Sequence, residues 1–166
     1  ASKTAKDGST YKNLSFPMHI PGQHDKCVGL EERGYPRKDG SARKGMATGT
    51  NASEGLWMAS PKNTALQDAR IVLVFESAYD AMAFYQLQMR KESGLDQRGR
   101  QDLKAGVYVS TGGNPSYGQI QGLLKAAPQA TFHLGFDKDV AGKQFVANFE
   151  DIASKQSPVA PGNVPA

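Results

Sequence analysis

The sequence predicts an α/β protein: a parallel sheet flanked by helices, preceded by a small β-rich lobe. Three observations carry that prediction. Three short apolar runs, Ile71–Phe75, Gly106–Ser110 and Thr131–Phe136, are rich in β-branched and aromatic residues, as strands of a parallel sheet covered on both faces should be. Segments with helical spacing follow each of them, and strand–helix alternation implies right-handed crossovers. Ahead of them, from Leu14 to Ser60, the chain is broken repeatedly by Gly and Pro into short apolar pieces, which reads as strands and turns.

Taken in order, residues 1–13 are polar, with Lys3, Lys6 and Lys12, and are expected to form a flexible lead-in. The lobe spans 14–62. Its strands are Leu14 to Ile20, Cys27 to Leu30, Gly45 to Thr48 and Leu56 to Ala59, with Trp57 and Met58 anchoring its core. The charged run from Glu31 to Lys44 contains Pro36, Gly34 and Gly40. It is expected to be an exposed loop, either a solvated connection or a basic flap touching phosphates. Pro61-Lys62-Asn63 marks the boundary to an α/β unit over 63–153.

In that unit, Ala78, Met82, Tyr85 and Met89 give the first helix, about 78–91, an inward face. A polar stretch from Glu92 to Gln101 is read as a loop. Ile120, Leu123 and Leu124 form the stripe of a second helix over 117–126. Phe145, Phe149 and Ile152 do the same for a third over 141–153. Residues 154–166 are Pro-rich, and Pro excludes helix and central strand, so this stretch reads as a linker or tail.

The totals narrow the classes. A chain of 166 residues suits one domain or a core with an appendage. Its net charge of +4 and pI of about 9.2 fit an anionic partner. Cys27 is the single cysteine, so an internal disulfide framework is excluded and a reducing, cytoplasmic setting is expected. No apolar run approaches the roughly 20 residues of a membrane helix, and the chain starts at Ala1 without a signal-peptide pattern.

Chemistry concentrates where the apolar runs end. In open α/β sheets ligands bind beyond the carboxyl ends of the strands. The first run ends in Glu76, with Asp80 four residues on; the last ends in Asp137-Lys138-Asp139. Four carboxylates in one crevice repel one another and raise each other's pKa. A divalent cation relieves that repulsion, and oxygen donors select Mg2+ or Mn2+ over zinc. We therefore expect Glu76, Asp80, Asp137 and Asp139 to converge on a metal. Two of these acids have simpler duties open to them: Ser77-Ala78-Tyr79-Asp80 matches a capping box, and Asp139 can cap the helix that follows it. Ser110-Thr111-Gly112-Gly113-Asn114 after the middle strand reads as a phosphate-cradling turn or a plain connection. His133 lies inside a strand and reads as a core or sheet-face residue. His19, His24 and Cys27 lack a fourth ligand at zinc spacing.

These motifs resemble the Toprim family, the α/β module of bacterial-type primases, topoisomerases and some nucleases. Its strand-terminal Glu matches Val74-Phe75-Glu76, and the Asp that follows in the primase branch matches Asp80. The small-residue loop matches Ser110 to Asn114, and the Asp-x-Asp with a following Ala-Gly matches Asp137 to Gly142. Val28-Gly29-Leu30-Glu31-Glu32-Arg33 and Lys44-Gly45-Met46 are similar to the segment before this module in primases of plasmids, phages and conjugative elements.

The resemblance implies metal-dependent nucleotidyl transfer, the synthesis of RNA primers on single-stranded DNA from nucleotide triphosphates. Glu76, Asp137 and Asp139 would be catalytic and Asp80 supporting. Arg33, Arg37, Arg43, Lys44 and Lys138 are expected on nucleic acid or nucleotide, and a helicase or relaxase is an expected partner. A nicking nuclease and a non-catalytic nucleic-acid-binding module are the alternatives. The chain departs from the primase pattern in having Ser77 after the Glu, where primases commonly carry Gly. It has no second acidic pair after the Asp-x-Asp helix.

Overall fold

The computed structural model describes residues 2–4, 8, 10–35, 40–90 and 93–156. They build two four-stranded sheets. The first is antiparallel, in the order β1 (Ser2–Thr4), β2 (Thr10–Ile20), β3 (Gln23–Gly34), β4 (Lys44–Met46). Pro21-Gly22 turns β2 into β3, with Gly22 at φ 81°. That Pro–Gly order is what a type II turn demands, since only Gly takes the positive φ cheaply. The expected lead-in over 1–13 is therefore corrected in part: Ser2–Thr4 pairs with Thr10–Lys12.

The second sheet runs β5 (Trp57–Ala59), β7 (Val107–Ser110), β6 (Ile71–Phe75), β8 (Thr131–Gly135). Its three predicted strands β6, β7 and β8 are parallel neighbours. Helices α1 (Ala78–Gln88) and α2 (Gln97–Ala105) lie between β6 and β7, α3 (Tyr117–Ala126) between β7 and β8, and α4 (Val140–Gln156) follows β8. Predicted and observed bounds of α3 coincide. The Pro-rich stretch after Gln156 lies outside the described residues.

Alternation along the strands separates two cores. Val72, Val74, Val107 and Val109 face Ile120 and Leu123 of α3 and Phe149 and Ile152 of α4. Leu73, Phe75 and Tyr108 face the other way, against Ala78 and Ala81 of α1 and against Met18 and Trp57. The Tyr108 hydroxyl donates to the Leu103 carbonyl. Burial, helped by nearby Tyr85, pushes this phenol well above its usual range.

Five expectations change here. β5, read as part of the lobe, pairs antiparallel with β7 and is the outer strand of the α/β sheet. Its Trp57 stacks edge-on with Phe16 of β2 at 6.1 Å, so it joins the two sheets instead of anchoring one. The polar run over 92–101 contains the start of α2, capped by Asp96, whose carboxylate accepts from Gly99 N–H at 2.7 Å. Glu31 to Gly34 is not loop but the end of β3, with Glu31 and Glu32 buried. Finally, β8 is covered on one face only: Phe132 and Leu134 point inward, while Thr131, His133 and Gly135 are exposed. On α1, Met82 is 42% exposed, and the inward positions are Ala78, Ala81, Phe84 and Tyr85.

Because Trp57 lies in one sheet and packs against Phe16 of the other, Trp57→Ala should destabilise them together. We expect a loss of about 3–5 kcal/mol in a single denaturant transition. Urea titration followed by circular dichroism checks this, and two separate transitions would contradict it.

Candidate metal centre at the strand ends

The acids are placed by the register of β6 against β8. Phe75 sits opposite Gly135, so both strands end at one rim and release Glu76 and the Asp137-Lys138-Asp139 turn side by side. The close approach needs glycine: a β-carbon on Gly135 would lie 2.5 Å from the Phe75 ring. Glu76 is half-buried, and its Oε1 accepts from the Asp137 backbone N–H at 3.1 Å. The first and last of the three parallel strands are thus joined through the predicted residues.

The turn after β7 closes over Glu76. Gly113 N–H donates to the Glu76 carbonyl at 2.8 Å, and Thr111 N–H to the Phe75 carbonyl at 3.1 Å. Gly112 and Gly113 stand at φ 72° and 128°, conformations that favour glycine. The Ser110–Asn114 segment serves here as a bracing turn for Glu76.

The other acids hold local helix contacts. Ser77 caps α1 by accepting from Asp80 N–H at 3.2 Å, and its hydroxyl donates to the Asp80 carboxylate. Asp139 precedes α4 and its Oδ1 accepts from Gly142 N–H at 2.8 Å, the N-cap geometry. Asp80, Asp137 and Asp139 are all exposed. Among the described residues, no three His, Cys, Asp or Glu side chains stand as a group that could hold a metal ion. The donor set itself fits Mg2+, being entirely carboxylate oxygen. Glu76, Asp137 and Asp139 are the residues that would hold it, with Asp139 turning from its capping bond.

Gly142 explains the Ala-Gly of the motif. It is buried, and a β-carbon there would lie 1.9 Å from the Asp137 carbonyl oxygen. Helix α4 can start under the Asp137 turn only if this position has no side chain.

The basic candidates divide. Arg33 and Lys44 are cross-strand partners, on the face of the antiparallel sheet that carries Glu31 and Met46 toward the strand ends. Arg33 is half-buried and its Nε is 3.8 Å from Glu31. Arg43 is engaged by buried Glu32 at 3.3 Å and donates to the Met46 carbonyl. Lys138 is exposed between the aspartates. Arg37 lies outside the described residues. The charge run hid one residue of the site altogether. Glu31 is 2% exposed, accepts from Ala78 N–H at the start of α1 and takes the Ser110 hydroxyl at 2.8 Å. No local signal marks it: alternation puts Glu31 on the face of β3 opposite Val28 and Leu30, and its burial comes from partners distant in sequence.

A model of the Toprim-like family matches residues 73–163, more than half of the chain. The chain belongs to the Toprim-like family. The matched span begins within β6 and takes in Glu76, the Ser110–Asn114 turn and Asp137–Gly142. Comparisons with curated proteins and with solved structures gave no match. Toprim domains belong to enzymes that act on nucleic acid, namely primases, nucleases and topoisomerases, and in general bind Mg2+. No helix among the described residues is long and apolar enough to cross a membrane.

The packing at Gly142 gives a direct test. Gly142→Ala should cost about 1–3 kcal/mol through overpacking, read as a lowered thermal midpoint. Lys143→Ala, one residue on and exposed, should leave the midpoint unchanged.

Proposed function

We propose that this Toprim-like chain is the catalytic core of a primase-type nucleotidyltransferase, of the kind carried by mobile elements, making short RNA on single-stranded DNA in the cytoplasm. The observation that carries the reading is the junction of Glu76 with Asp137 at adjacent strand ends, flanked by the sheet face bearing Arg33 and Lys44.

Bound Mg2+ would supply charge neutralisation at the phosphoryl group being transferred. The chain's own residues do the remaining work. Glu76, Asp137 and Asp139 present oxygen donors, and Asp80 supports them through Ser77. Arg33, Lys44 and Lys138 attract template or triphosphate oxygens, Arg33 being already oriented by Glu31. Arg37 and Arg43 add positive charge to the same lobe. A helicase or relaxase would bring the template.

Titration of Mn2+ into the wild type and Asp137→Ala tests the centre. The wild type should bind and the variant should lose at least about tenfold in affinity, as expected for a lost ligand. Equal, negligible binding would sink the metal assignment. Incubation with single-stranded DNA, nucleotide triphosphates and Mg2+ or Mn2+ should give short RNA. Cleavage of supercoiled plasmid without RNA would instead assign a nicking nuclease. Salt-sensitive DNA binding with neither product, and no response to the metal, would leave a binding module.

A further inference from the structure

Glu31 is a buried acid whose 3.8 Å link to Arg33 leaves its closer contacts without a use in phosphate recognition. A carboxylate taken out of water needs charge-assisted partners to remain there. The partners of Glu31 are all parts of the site. Its two oxygens lie 3.2 and 3.1 Å from the backbone nitrogen of Ala78, two residues beyond Glu76. The Ser110 hydroxyl donates to it at 2.8 Å. Ser110 Oγ in turn accepts from Gly112 N–H at 3.0 Å, in the turn whose Gly113 N–H holds the Glu76 carbonyl.

We propose that Glu31 is a positioning residue for Glu76. It reaches from the antiparallel sheet to fix the two turns that bracket Glu76, one at residues 76–78 and the other at 110–113. The inference rests on the metal-binding reading above and deepens it.

Helix starts leave N–H groups without partners inside the helix. Ser77 serves Asp80 N–H, and the N–H of Ala78 is served by Glu31 instead of water. The clamp is stiff because Glu31 is held in its ladder by Phe16 on one side and Met46 on the other. Both neighbours also pack into the core beneath α1. A Glu76 carboxylate aimed by such a frame loses little freedom when it takes an ion, which is how outer groups raise metal affinity.

The test uses the full chain, with Mn2+ titrated into wild type, Glu31→Ala, Glu31→Gln and Ser110→Ala. Hydrogen exchange over residues 76–81 is measured on the same samples. Glu31→Ala should weaken Mn2+ by about tenfold or more, and Glu31→Gln should recover to within about threefold of wild type. The Gln carbonyl still accepts from Ala78 N–H, and its amide can donate to Ser110. Exchange over 76–81 should quicken in Glu31→Ala, while that over 144–152 in α4 stays unchanged.

A folded Glu31→Ala with wild-type affinity and wild-type exchange overturns the proposal. If that variant does not fold, Ser110→Ala decides: weaker Mn2+ binding with faster exchange supports the clamp, and no change in either defeats it. A wild type that takes no Mn2+ sinks the metal reading and this proposal with it. A wild type that binds beside an unaffected pair of variants sinks the clamp alone.

Discussion

The constraint on which the rest depends is the parallel register of β6 against β8. Setting Phe75 opposite Gly135 brings two strand ends to one rim, and only then can Glu76 reach the Asp137 amide. The register is enforced sterically. Phe75 fills the space a side chain at 135 would need, and the Asp137 carbonyl fills the space a side chain at 142 would need. Two glycines, one in the strand and one in the helix, thus decide where the acids stand. A shift by one residue would turn every strand side chain to the opposite face and move Val72 and Val74 out of the core they share with α3 and α4.

The lobe is a working part of this arrangement. β5 extends the α/β sheet, its Trp57 packs against Phe16 and Met18 of the antiparallel sheet, and Glu31 meets the start of α1. Gln119 adds a further tie: its amide donates to the carbonyls of Gly55 and Thr111, and its own carbonyl accepts from Ser116 N–H. Side-chain amides satisfied at every position are costly to disturb, so the turn before β5 and the turn after β7 are held to α3 together.

Much of this was legible in the sequence, for physical reasons. Buried parallel strands need continuous apolar residues, and Ile71–Phe75 has nothing else. Helices that pack on one side need an apolar stripe, and Ile120, Leu123, Phe145, Phe149 and Ile152 supply it. Acids directly after such strands stand out by their cost. What could not be read depended on contacts distant in sequence. Helix α2 has almost no apolar stripe and no buried residue, so only its Asp96 cap marked it. β5 is three residues long, and its choice of sheet is decided by β7, about fifty residues away. Glu31 and Glu32 looked solvated because they lie in a charged run, yet their burial is settled by partners on α1 and β7 and by Arg43, just before β4. Asp80 and Asp139 were open between capping and ligation; the structure shows the capping contacts.

Among the described residues β8 is the outermost strand of its sheet, with Thr131 and His133 turned to solvent. Glu76 and Asp137 therefore meet near an open margin and not at the bottom of a central well. Approach from that side is lateral. A long molecule could come alongside the acids at any point of its length, with no free end to thread, whereas a closed pocket would admit only termini or small pieces.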